Sequence, residues 1–342
     1  MKNKIRTPIR YAGGKSRAIK KITPFVEPYD TIVSPFLGGG SLEIHWASNG
    51  KRVIASDIFD ILVNFWQQVL SNPSELADEL SKISPNKEEY KKIKEILINT
   101  PEVQEMMSEW KTNFYKRDNL EKLNPIRMAA YYYFNHNCSY GPGFLGWASD
   151  IYMNQKKWDK TISKIRSFKL ENLSVSCQSF EKTISENQNE FLYLDPPYYT
   201  GNTKDNKMLG GIYPMKNIPV HHNGFDHALL RDLLLNHKGN FALSYNNCET
   251  IREYYSEFEF YFPQWHYSMD IGEKRIGKNR IARTNSEDLG KVQNFTEKID
   301  FLNSQPKNPE NEKQISLLKS ERHEIMKKES HEILIVKRGK NV

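Results

Sequence analysis

The chain has almost none of what would cross-link it covalently or anchor it in a bilayer. Its three cysteines, Cys138, Cys177 and Cys248, are odd in number and show no CxxC spacing. That pattern argues against a disulfide framework and a structural zinc site, and points to a reducing compartment. No apolar run approaches the roughly 18 residues of a spanning helix, and the basic start Met1-Lys2-Asn3-Lys4-Ile5-Arg6 lacks a following apolar stretch. A soluble, cytoplasmic protein without structural metal is the expectation. Acidic residues are in deficit too: 42 Asp and Glu face 49 Lys and Arg, for a net charge of +7. The pI near 9.0 suits a polyanion, whose phosphates attract cations whatever their sequence. With 38% hydrophobic residues the chain can still build a sizeable core, and its length suggests two domains.

What is present is concentrated at Asp195-Pro196-Pro197-Tyr198, directly after the apolar run Phe191-Leu192-Tyr193-Leu194. Such a run reads as a buried strand, and two prolines after it fix their own φ and bias the preceding residue to extended geometry. A carboxylate, backbone carbonyls and an aromatic ring thus converge at the carboxyl end of a strand, where open α/β sheets bind ligands. This set of acceptors suits an aromatic amine such as the exocyclic nitrogen of adenine. Hydrogen bonds drawn to its two N–H groups free a lone pair otherwise delocalised into the ring, while Tyr198 stacks on the base. The bland alternative is a Pro-Pro turn that merely ends a strand.

A second signal lies near the N-terminus. Thr31 to Phe36 reads as a strand, Leu37-Gly38-Gly39-Gly40-Ser41 as a glycine turn and Leu42 to Ala47 as a helix, the first unit of a nucleotide-binding sheet. Seventeen residues beyond Gly40 the run Arg52 to Ser56 ends in Asp57, where an acidic residue meets ribose hydroxyls; the same Asp57 also fits a helix N-cap. Tyr11-Ala12-Gly13-Gly14-Lys15-Ser16 imitates the tail of a Walker A loop, but position 9 is Ile9 instead of glycine, which argues against a P-loop. Lys15 and the ring of Tyr11 remain candidates to contact a cofactor, or Lys15 belongs to a solvated basic arm.

Together Tyr-Ala-Gly-Gly-Lys, Pro-Phe-Leu-Gly-Gly-Gly, Asp57 and Asp-Pro-Pro-Tyr resemble the D12 class, or Dam-like group, of adenine-specific DNA methyltransferases. Tyr133-Phe134-Asn135-His136-Asn137 and Leu243-Ser244-Tyr245-Asn246 extend the likeness over most of residues 6 to 267 and the last strand. The resemblance implies an α/β fold: a Rossmann-like, S-adenosylmethionine-dependent methyltransferase sheet with an inserted, mainly helical target-recognition domain. It also implies N6-methylation of adenine in double-stranded DNA by base flipping. Carried over, Tyr11, Lys15, Phe36, Gly38, Gly40, Asp57 and Asp195 match cofactor positions, and Asp195, Pro196, Pro197 and Tyr198 the catalytic motif. Tyr11 stands where the family usually has Trp, which preserves a ring face.

Residues 1–57 and 171–342 are expected to form the catalytic domain, with a polar insertion at about 270–330, and residues 58–170 the target-recognition domain. Helices are expected over Ile58 to Leu70, Ser74 to Ile83, Lys87 to Ile98 and Pro125 to Asn135, with breakers at Pro73, Pro85 and Pro101. From Tyr131 to Lys169 aromatic residues, Trp158 among them, interleave with cations, as on a surface that contacts phosphates and fills the gap left by a flipped base. Asn137, Tyr140, Phe144, Trp147, Lys156 and Lys157 are the DNA-contact candidates there, although Tyr131 to Phe134 fit a helix core equally well. Phe144-Leu145-Gly146-Trp147 replaces the Arg-rich hairpin of GATC-reading members, so GATC is not the implied site. Lys274 to Arg283 holds five basic and no acidic residues, which adds Lys274, Arg275, Lys278 and Arg280 as backbone contacts. A monomer, in a restriction-modification system with a cognate endonuclease or as an orphan or phage methylase, completes the expectation. A cytosine N4 or RNA methyltransferase and a silent DNA-binding module are the alternatives.

Overall fold

The computed structural model describes residues 5–110, 117–140, 143–199, 224–263, 286–305, 308–325 and 332–339. Its centre is a seven-stranded sheet. In chain order the strands are β1 (Thr31–Ser34), β2 (Arg52–Asp57), β3 (Leu173–Cys177), β4 (Phe191–Leu194), β5 (Phe241–Asn246), β6 (Glu259–Tyr261) and β7 (Glu332–Lys337). They lie in the order β3-β2-β1-β4-β5-β7-β6. The first five are parallel, with Ile32 opposite both Val53 and Phe191, and β7 enters antiparallel between β5 and β6. The chain runs outward from β1 through β2 to β3 and then returns to place β4 on the other side of β1. That reversal is the topological switch point at which such sheets open a crevice beyond their carboxyl ends.

Strands buried on both faces read as continuous apolar runs, as β4 and β7 do, with Phe191 to Leu194 and Ile333 to Val336 all buried. Leu192, Leu194, Ile333 and Ile335 enter one core with Leu230, Leu234 and Tyr245. The alternate residues Phe191 and Tyr193 turn the other way, onto Tyr29 and Trp46. The flanking helices are α1 (Ile19–Val26), α2 (Ser41–Ser48), α9 (Phe180–Glu186), α10 (His227–Asn236) and α11 (Glu249–Tyr254). Asp226 caps α10 by accepting from Leu229 N at 2.8 Å, as its place before the apolar run suggests.

Between β2 and β3 stand α3 (Asp60–Ser71), α4 (Pro73–Ser81), α5 (Lys87–Ile98), α6 (Pro101–Trp110), α7 (Pro125–Asn137) and α8 (Gln155–Arg166). Two of these differ from the sequence reading. α6 is not among the expected helices: α5 does stop before Pro101, but Pro101, like Pro73 in α4, also begins a new helix, since proline is tolerated at the first helical position where its missing N–H has no partner to lose. The stretch around Lys156 and Lys157 is a helix, α8, capped by Asn154, and its Trp158 is buried, with the indole N–H between the Leu80 and Ile83 carbonyls. α3 packs on β2 and β3, and α4, α5, α7 and α8 build outward from it.

Residues 1–263 and 332–342 make one compact unit and residues 264–331 a second. Within the second, α12 (Ser286–Ser304) and α13 (Pro309–Ile325) pack on each other. Among the described residues no helix is long and apolar enough to cross a membrane.

Candidate active site at the carboxyl edge of the sheet

The glycine turn after β1 is shaped by contacts that exclude side chains. Gly38 and Gly40 have φ of +47° and +60°, in the left-handed region that L-residues avoid. Gly39 does not need that freedom but needs the space, because a Cβ there would lie 2.5 Å from Tyr11 Cβ. Tyr11 thus lies against the turn and stacks with His136 at 5.7 Å. Trp66 of α3 donates its indole N–H to Gly38 O at 3.0 Å. Asp57, at the end of β2, accepts from Gly38 N at 2.9 Å and from Phe59 N at 3.0 Å. It is therefore the carboxylate that holds the glycine turn and the chain leaving β2, and not the N-cap of α3, whose capping position is Phe59. Phe36 stacks on Phe180 at 5.6 Å beside it.

On the other side of β1, Asp195 follows β4 directly. Lys15 reaches it from the N-terminal segment: Nζ donates to Asp195 Oδ1 at 2.8 Å and to the Tyr198 hydroxyl at 2.9 Å. Lys15 is only 5% exposed, so it is no solvated arm. Burial alone would depress its ammonium, but Asp195 and Glu332 outweigh that and hold it above the ordinary lysine value. Burial pushes the Asp195 carboxyl up while Lys15 pulls it back. Tyr198, its phenol kept protonated by burial, tilts toward Tyr245 with centroids 6.2 Å apart. Asn246, at the end of β5, donates to Tyr199 O at 3.0 Å and anchors the chain leaving the tetrapeptide. Pro196 is buried and Pro197 half-buried; neither has an N–H, so this corner offers acceptors and little competing donation.

Asp57, the glycine turn and Asp195 therefore occupy the carboxyl ends of three adjacent parallel strands, β2, β1 and β4. Neighbouring strands are about 4.8 Å apart, which places the groups within the reach of one nucleoside-sized ligand. The donor set fits a nucleoside bearing an amino acid and a cationic centre: carboxylates, ring faces and a backbone stripped of side chains. Sequence reasoning missed Gly39, Trp66 and Glu332. The first could have been found from the unbroken glycine triplet, whereas Trp66 and Glu332 carry no local signal.

The DNA-contact candidates divide. Trp147 is 80% and Tyr140 39% exposed; Tyr140 N donates to Trp147 O at 2.7 Å, next to the antiparallel bridge between Ser139 and Ala148. Lys156 and Lys157 are exposed on α8. Asn137 is buried instead and fixes Arg10, accepting from Arg10 N at 2.9 Å. Phe144 is buried against Phe59 and Tyr132. Tyr132, Tyr133 and Phe134 are likewise helix core. An apolar ring beside a loop finds more contact area inside than outside. Lys274, Arg275, Lys278 and Arg280 lie outside the described residues.

Comparison with known proteins meets this geometry. The Type II methyltransferase M.FokI of Planomicrobium okeanokoites is 27% identical over 219 residues, covering 59% of this chain and 30% of that protein, so the chain spans under a third of the relative's length. A family described as D12 class N6 adenine-specific DNA methyltransferase matches residues 11–269, a stretch that contains the glycine turn, Asp57 and the Asp195 tetrapeptide. The chain belongs to the D12 class of N6 adenine-specific DNA methyltransferases.

Proposed function

We propose that this chain transfers a methyl group from S-adenosylmethionine to the N6 amine of adenine flipped out of duplex DNA. The observation that carries the reading is the Lys15–Asp195–Tyr198 cluster at the switch point, one strand away from the glycine turn and two from Asp57. Tyr11, Gly38 to Gly40, Asp57 and Phe36 would hold the donor, which when bound supplies a methyl group on a cationic sulfur with a good leaving group. The chain's task is then mainly orientation, since reacting atoms must approach to about 3–3.5 Å in line. Lys15 takes Asp195 Oδ1 and leaves Oδ2 for one amine N–H; the Pro196 carbonyl suits the other. Tyr198 offers a ring face to the base. Positive charge growing on the amine is stabilised by the fixed Asp195 carboxylate, a preorganised term that water cannot match.

Residues 58–170 serve as the target-reading part, with Tyr140, Trp147, Lys156 and Lys157 on the DNA side. The likeness to a protein named as a Type II methyltransferase supports a role in restriction-modification, in the cytoplasm where the DNA is. The test is labelled-methyl transfer to DNA and to RNA, followed by nucleoside analysis. N6-methyladenine in DNA is expected; N4-methylcytosine, or label in RNA alone, overturns the reading. Asp195→Ala should abolish transfer while DNA binding persists, and retained turnover would remove its assigned role.

A further inference from the structure

Lys15 has a second anionic neighbour that the tetrapeptide does not contain. Glu332, the first residue of β7, brings Oε2 to 3.6 Å from Lys15 Nζ. It is 5% exposed, and among the described residues no hydrogen bond of ordinary geometry reaches its carboxyl oxygens, although Tyr198 and Lys15 lie near enough to stabilise its charge. A buried carboxyl left in this state is costly and calls for an explanation. The family match ends at residue 269, so nothing in it assigns Glu332 a task. β7 delivers the residue by pairing with β5, with Glu332 opposite Asn246.

We propose that Glu332 is a positioning residue of the transfer site, which shares the Lys15 ammonium with Asp195 and gives the buried cluster an excess negative charge. The inference rests on the adenine-methylating reading above and deepens it. Asp195 and Lys15 alone sum to zero charge, and an ammonium hydrogen-bonded at 2.8 Å weakens the carboxylate as an acceptor. A second carboxylate on the far side draws Lys15 charge away from Asp195. The cluster then stands at minus one before transfer and at zero when the amine becomes cationic, which avoids a buried net cation at the transition state. Glu332 acts through Lys15 and touches neither base nor donor.

Burial pushes the Glu332 carboxyl up to about 7, with Lys15 opposing and Asp195 reinforcing the shift. The titratable groups that face it are Lys15 from the N-terminal segment and Asp195 and Tyr198 after β4; Glu43 of α2 acts on Asp195. On its own sheet the opposite residue, Asn246, is uncharged. Because the ionised form is the active one, the methyl-transfer rate should rise as pH passes through about 7 and level off above it.

The test is single-turnover methylation of duplex DNA from pH 5.5 to 9, with DNA and S-adenosylmethionine affinities measured alongside. Glu332→Gln should slow transfer roughly 10- to 100-fold, less than the loss of about 100- to 1,000-fold when a direct transition-state contact is removed. Both affinities should stay within about threefold, and the limb near pH 7 should vanish in Glu332→Gln but persist in Glu43→Gln. Wild-type rate and an unmoved limb in Glu332→Gln would overturn the proposal. If that variant fails to fold, Glu332→Asp decides: its carboxylate is withdrawn by one methylene, so a slower rate with a displaced limb supports the proposal and wild-type behaviour refutes it. A wild-type protein that makes no N6-methyladenine would sink the functional reading, whereas a working enzyme indifferent to Glu332 sinks this inference alone.

Discussion

Lys15→Met is the perturbation that most directly tests the buried charge cluster. Methionine keeps much of the apolar stem and removes the ammonium that Asp195 and Glu332 share at 2.8 and 3.6 Å. Deleting one partner of a buried ion pair costs about 3–5 kcal/mol, because the other charge is left uncompensated. The Asp195 side chain is 23% exposed, so water relieves part of that cost and the lower figure, about 3 kcal/mol, is the better expectation. At roughly 2 °C per kcal/mol for a unit of this size, the Tm at pH 8.5 should fall by about 6 °C. The pH dependence fixes the cause. Without the ammonium, both carboxyls have folded-state pKa values further above their unfolded ones, so their stability contribution is present at low pH and lost as pH rises through the folded values. Lys15 in the wild type adds no slope of its own over this range: its raised value keeps its stabilisation whole at every pH below the ordinary lysine pKa. The deficit should therefore be large at pH 8.5 and shrink toward pH 5.5, as read by thermal melts of the two proteins across that range. A deficit that is absent, or equal at both ends, would refute the placement of Lys15 between two buried acids.

Three further outcomes follow from the placement of rings and carboxyls. Phe144→Ala should destabilise the fold by about 3–5 kcal/mol, because Phe144 is buried against Phe59 and Tyr132. Trp147→Ala should change stability by no more than about 0.5 kcal/mol yet weaken duplex binding roughly tenfold; the reverse pattern in urea melts and binding titrations would exchange their roles. Glu43 is buried with Ser34 Oγ donating to it at 2.7 Å, and burial pushes its carboxyl up from 4.5 to about 7. Stability tied to it is present at low pH and lost as pH rises to about 7, so Glu43→Gln should gain on the wild type at pH 8.5 relative to pH 5. Equal differences in urea midpoint at the two pH values would contradict that.

Most of the sheet and half of the site are local properties of the chain. Apolar runs that stop at turn residues mark β1, β2, β4 and β5, and the glycine triplet, Asp57 and the proline-locked tetrapeptide mark the carboxyl edge, because backbone constraint and side-chain chemistry are written at single positions. Asn86, Asn124 and Asn154 cap the helices they precede for the same reason. Tertiary structure decided what depends on neighbours distant in sequence. A tyrosine-rich helix and a lysine-rich one looked alike as surfaces, and only packing on α3 and α4 put Tyr132, Tyr133, Phe144 and Trp158 inside and left Trp147 and Tyr140 out. Lys15 read as a cofactor contact or a loose arm until folding carried it to Asp195, 180 positions along the chain. Glu332 had no local signature at all: a glutamate before four apolar residues is an ordinary strand start. It becomes part of the site because an antiparallel strand, returning after residues 264–331, slots in between β5 and β6 and turns a surface-type residue into a buried charge facing Lys15.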